Sequence, residues 1–90
     1  MGIIGQDIDI RIYFTENAPK TFAEPHVKKV ARQMRRAGAE TMTILCGMTD
    51  KEIIKTRNVG EKGQEIVFLM REKYAAENHI SLFREGMSNV

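Results

Sequence analysis

The residues best equipped for chemistry in this chain are cations and glycines. Lys28, Lys29, Arg32, Arg35 and Arg36 crowd into residues 25–36, a stretch without a single acid. Further along, Gly60, Lys62 and Gly63 follow the run Ile53-Ile-Lys-Thr-Arg-Asn-Val59. A row of long cations can neutralise phosphates. A helix that starts on a glycine leaves N–H groups without an internal acceptor, and such groups suit a phosphate oxygen. The implied chemistry is grip on a sugar-phosphate backbone. Catalysis is not expected, nor a metal or cofactor. No His, Cys, Asp and Glu gather at metal-ligand spacing, and no nucleophile has a base at a recognisable distance along the chain. His26 and His79 stand near predicted helix ends, and Cys46 lies in an apolar run that suits a small buried side chain.

The elements that must position these groups read as helices. Pro25 suits the first position of one, which runs to about Arg36, and Gly38 is placed to end it. At about 100° per residue, Val27, Val30, Ala31 and Met34 gather on one stripe and the five cations take the opposite arc. A merely solvated basic face usually carries acids one turn away. With none interleaved, these charges repel one another unless a polyanion is near. Thr41 reads as the N-cap of a short apolar helix or turn within residues 41–48, and Thr49-Asp-Lys-Glu52 as a capping box opening the next helix. Val59 can tuck beneath the following turn, and Gly60 needs either a positive φ or close approach of another backbone. A long helix then runs from about Glu61 to about Glu77, with Val67, Met70 and Tyr74 at core spacing. Ile66, Phe68 and Leu69 widen its apolar girth, which predicts cover from the N-terminal arm or from a second subunit. Helix, tight turn and helix around residues 53–67 make the pattern of a helix-hairpin-helix; a plain αα-hairpin with a glycine cap is the alternative.

The N-terminal part reads differently. Residues 7–14 alternate, with Ile8, Ile10, Ile12 and Phe14 on one side and Asp7, Asp9, Arg11 and Tyr13 on the other. This predicts a half-buried β-strand. With no second strand to receive it, a homodimer through strand 8–14 is expected. Asn17 and Pro19 mark residues 15–24 as a linker. The expected fold is therefore mainly α, a compact four-to-five-helix domain over residues 25–90, preceded by one N-terminal β-strand and linker over residues 1–24. Ile80, Leu82 and Phe83 are expected to fold back on it. Net charge is only +2, no apolar run is long enough to span a bilayer and one cysteine excludes an intrachain disulfide. Asp7 and Asp9 in place of a basic leader, and Gln6 where myristoylation wants a hydroxyl, point to a cytoplasmic protein free of the membrane.

The order of elements, and above all the run Ala37-Gly-Ala-Glu-Thr-Met-Thr-Ile-Leu-Cys-Gly-Met-Thr-Asp-Lys-Glu-Ile-Ile-Lys-Thr-Arg-Asn-Val-Gly60, is similar to the C-terminal domain of the bacterial RNA polymerase alpha subunit. The resemblance covers residues 27–77. It implies a helix-hairpin-helix domain that meets DNA through the minor groove, commonly at A·T-rich stretches, and that also docks on transcription factors. Carried over, the family's groove-entering arginine falls on Lys29, its asparagine on Arg32 and its cysteine on Gln33. The hairpin glycine falls on Gly60, the lysine on Lys62 and the serine on Gly63. Lys28 and Arg36 join them from the basic face. Beyond these exchanges, other features depart from the pattern: Lys29 is a point charge in place of a planar fork, Glu61 stands where the family usually has a base, Ile66 replaces an acid and Gln64 replaces an apolar residue. The expected function is a small non-catalytic DNA-binding protein, weakly sequence-selective and transcription-related. The alternative is a protein-interaction module that docks on RNA polymerase or a transcription factor without binding DNA.

Overall fold

A computed structural model describes residues 7–80 and Leu82. Its first element corrects the reading of the N-terminus. Residues 10–14 are not a strand but part of helix α1 (Ile10–Asn17), capped by Asp9, whose carboxylate accepts the Arg11 N–H at 2.8 Å. The alternating run was ambiguous because it also holds a helical stripe. Ile10, Tyr13 and Phe14 stand at i, i+3 and i+4, and all three are buried. A helix satisfies its own backbone, whereas a strand here would need a ladder partner. Among the described residues the only β-type pairing is one antiparallel bridge, Asp9 to Thr41, flanked by Ile10 N–H to Glu40 C=O and Met42 N–H to Ile8 C=O, both 3.0 Å. The strand-paired homodimer falls with the strand. The linker shortens too, because α1 takes residues 15–17.

The remaining helices follow their local signals. Helix α2 (Glu24–Arg36) carries Pro25 in its first turn. It ends in a Schellman motif: the Ala39 N–H reaches Met34 C=O at 2.9 Å, the Gly38 N–H reaches Arg35 C=O at 3.0 Å, and Gly38 takes φ +108°. Helix α3 (Met42–Cys46) is capped by Thr41, and α4 (Asp50–Ile54) by the capping box, with Thr49 N–H to Glu52 Oε1 at 2.8 Å and Glu52 N–H to Thr49 Oγ1 at 3.1 Å. Helix α5 (Gly60–Asn78) is the long one.

Helices α2, α3 and α4 all pack on α5, and α1 packs on α2 and α3. Ile10, Phe14, Val30, Met34, Leu45, Ile53, Ile66 and Met70 meet in one core, each essentially without solvent contact. This explains the broad apolar girth of α5. Ile66 is buried, Phe68 is half-buried, and Leu69 alone of that trio stays largely exposed, at 41%. The N-terminal arm does provide cover, as a helix: the Tyr13 ring meets Tyr74 edge-on at 5.1 Å, and its hydroxyl donates to Glu77 at 2.8 Å. After α5, Ile80 and Leu82 pack against the core as expected, while Phe83 lies outside the described residues. Among the described residues no helix is long and apolar enough to cross a membrane.

Candidate nucleic-acid interface

Helix α2 is a ridge. Val27, Val30, Ala31 and Met34 fill its inner side, so at about 100° per residue Lys29, Arg32 and Arg36 form the outer crest. Lys28 and Arg35 lean toward α1, and Gln33 leans toward the α4–α5 turn. Two grooves follow from this. On one flank, Gln33 and Arg36 face Lys55, Thr56, Arg57 and Asn58 across an open groove of about 380 Å³. On the other, Lys28 and Arg32 face Arg11, Ile12, Thr15 and Glu16 of α1 across about 450 Å³. The predicted site is thus divided: Gln33 and Arg36 join the hairpin, while Lys28 and Arg32 border α1.

The turn is held by residues in uncommon backbone conformations. Asn58 takes φ +67° and Gly60 takes φ +74°. A Cβ built on Gly60 would meet nothing within 4 Å, so the glycine is there for its positive φ and not for space. Val59 is buried under the turn, as expected, and offers α5 no capping side chain. The Gln64 amide donates to the Ile54 carbonyl at 3.3 Å, bracing the end of α4 against α5.

Gly63 has a different role from the one the resemblance gave it. It is buried, and a Cβ there would lie 2.6 Å from Val59 Cγ1 and 3.0 Å from Val30 Cγ2. It is where α2 crosses α5, and the close approach of Val59 and Val30 leaves no room for a side chain there. Lys29 and Lys62, each one residue before a member of this contact, are exposed.

The acids missing from residues 25–36 come from outside them. Lys28 pairs with Glu24 at 3.3 Å, and Arg35 pairs with Asp9 at 3.5 Å. Asp9 also holds Arg11 at 3.2 Å. The hydrogen bond from Arg11 is the main reason the Asp9 carboxyl lies below its usual range, with smaller help from the charges of Arg11 and Arg35. Among the described residues, Lys29, Arg32, Arg36, Lys55, Arg57 and Lys62 have no ion pair. Uncompensated charge therefore lies on the crest and on the hairpin side.

Three groups escaped the sequence reading. Lys55 and Arg57 were visible as cations inside a helix-to-helix turn. Arg71 was visible as a cation on the core stripe of α5, since it stands one residue beyond Met70 and three before Tyr74. It is 1% exposed; one amino group donates to Met48 C=O at 3.0 Å and the other to the Asp50 carboxylate. It fastens α5 to the first residue of α4 and so holds the helix that enters the turn. Cys46 is buried, and burial pushes its thiol up. Among the described residues no group of three or more His, Cys, Asp or Glu could hold a metal ion. Comparison of the chain with family models, with curated proteins and with solved structures finds no match in any of the three.

Proposed function

We propose that this protein is a small, non-catalytic DNA-binding protein that holds duplex DNA by its backbone and minor groove. One observation carries the reading: Arg36 of α2 faces Lys55 and Arg57 of the α4–α5 turn across a groove with no acid in its lining. Three uncompensated cations around one shallow groove repel each other in isolation, and a phosphate strand relieves that repulsion. In this reading Lys29 and Arg32, on the crest of α2, reach toward the minor groove. Arg36, Lys55 and Arg57 hold one phosphate strand, and Gly60 with Lys62 meets the backbone at the start of α5. Readout is weak in sequence, because the minor groove distinguishes little beyond A·T from G·C. A transcriptional setting rests on the resemblance to the polymerase alpha C-terminal domain alone.

The test is a salt-dependent titration of a generic duplex by fluorescence anisotropy. The parent is expected to bind at low salt and to weaken steeply as salt rises. In Arg36→Ala with Arg57→Ala, the slope of log K against log salt should flatten by about two units. A parent that leaves duplex unbound at low salt, or a double variant with unchanged slope and affinity, sinks the proposal.

A further inference from the structure

The groove on the α1 side of α2 differs chemically from the one at the hairpin. Its volume of about 450 Å³ can receive one or two large apolar side chains. Ile12 lies in its wall, 49% exposed. The register of α1 sends Ile10, Tyr13 and Phe14 inward and leaves Ile12 outside, so the core makes no use of it. Around it stand Arg11, Lys28 and Arg32, and Glu16 is the one acid in the lining. Arg11 and Lys28 touch Asp9 and Glu24, but these are exposed pairs close in sequence and weakly held. Arg32 has no ion pair among the described residues. Long cationic side chains offer apolar stems as well as charge, so Lys28 and Arg32 extend the apolar floor while their heads stay in water.

A phosphate strand is a poor occupant here. Its charges are evenly spaced, so one would fall near Glu16, and Ile12 would gain nothing from it. An amphipathic helix fits better, with its apolar side chains on Ile12 and its acids toward the three cations. We infer that the α1–α2 groove, built on Ile12 and ringed by Arg11, Lys28 and Arg32, docks an acidic amphipathic helix of a partner protein. Glu16 sets the register, because the partner can place no acid above it. This docking does not depend on duplex binding; the two surfaces share only the crest residue Arg32.

The experiment is an NMR titration of the isotopically labelled full chain with a synthetic amphipathic helical peptide of leucine and glutamate. Amide signals of residues 11–16 and 28–32 should shift. The same peptide with lysine in place of glutamate should leave them unmoved. Ile12→Ser should weaken the glutamate peptide about tenfold, and Glu16→Gln should strengthen it about twofold. Ile12 lies outside the core, so far-UV circular dichroism and duplex affinity of Ile12→Ser should match the parent. The inference is overturned if neither peptide shifts these signals, if both shift them equally, if the shifts centre on Gln33, Arg36 and Arg57, or if duplex DNA moves residues 12–16 as strongly as the peptide does.

Discussion

Arg71 ties α5 to the start of α4, and the energetics of its pair with Asp50 are lopsided. Its guanidinium is almost wholly withdrawn from solvent, whereas the Asp50 side chain keeps 36% of its exposure. Removing Asp50 strands a charge in the interior, where the Met48 carbonyl and the Phe68 ring, 5.1 Å away, compensate it in part. Removing Arg71 strands a carboxylate that water can reach. The buried Nε of Arg71 has no hydrogen-bond partner, so replacing the side chain also removes an unsatisfied donor. Asp50→Ala is therefore expected to cost about 3 kcal/mol, and Arg71→Met on the order of 1–2 kcal/mol. Urea midpoints of the two variants measure this; the reverse order would show that Asp50, not Arg71, is the stranded partner.

Helix α1 is the element whose position is most conditional, because it is tied to three other helices through polar groups. Asp7 accepts the Thr43 N–H of α3 at 3.1 Å, Asp9 pairs with Arg35 of α2, and Tyr13 donates to Glu77 of α5. All three carboxyls lie below their ordinary values. For Glu77 the hydrogen bond from Tyr13 is the main cause, followed by that from Lys73. For Asp9 it is the hydrogen bond from Arg11. For Asp7 burial pulls upward, but the Thr43 N–H and the hydroxyls of Thr41 and Thr43 together outweigh it. A carboxyl lowered by folding stabilises the fold fully above its unfolded value, near 4, and loses that contribution as pH falls through its folded value. The docking of α1 should hold from pH 8 to about pH 5 and weaken below about pH 4. The chain has only two tyrosines and no tryptophan, and both tyrosines sit at the α1–α5 contact. The near-UV tyrosine signal therefore reads this contact directly. A signal that is constant down to pH 2, or that grows on acidification, contradicts the three-anchor account.

The whole molecule closes its core within one chain. The radius of gyration, 12.7 Å, is near the roughly 12 Å of a single compact domain of this length. Of the apolar girth of α5 that called for further cover, Ile66 is buried and Phe68 half-buried within the chain, and Leu69 stays largely exposed. The N-terminal edge that would have paired with a copy is wound into a helix, whose backbone groups are internally bonded. Sedimentation equilibrium should therefore give a monomer of 10.3 kDa at every protein concentration tested. A species of twice that mass would contradict this; among the described residues, Ile12, Ile44, Ile54 and Leu69 are the large apolar side chains left exposed to carry such an association.

Helix ends from α2 onward were legible in the sequence because the interactions that set them are local. The Schellman close after Arg36, the Thr41 cap, the Thr49–Glu52 box and the positive φ of Gly60 each depend on residues within a few positions of one another. The basic face of α2 and the buried places of Val59 and Cys46 were legible for the same reason. What decided the rest was contact between distant residues. Tertiary packing chose a helix over a strand for residues 10–14, because Ile10 and Phe14 found a core and no strand found a partner. It brought Asp9 to Arg35, so that not all five cations of α2 remain free. It turned Gly63 from a surface glycine into a helix crossing, and it separated the basic residues of α2 into a hairpin groove and an α1 groove. A linear pattern records which side of a helix a residue occupies; only the folded chain determines what stands opposite.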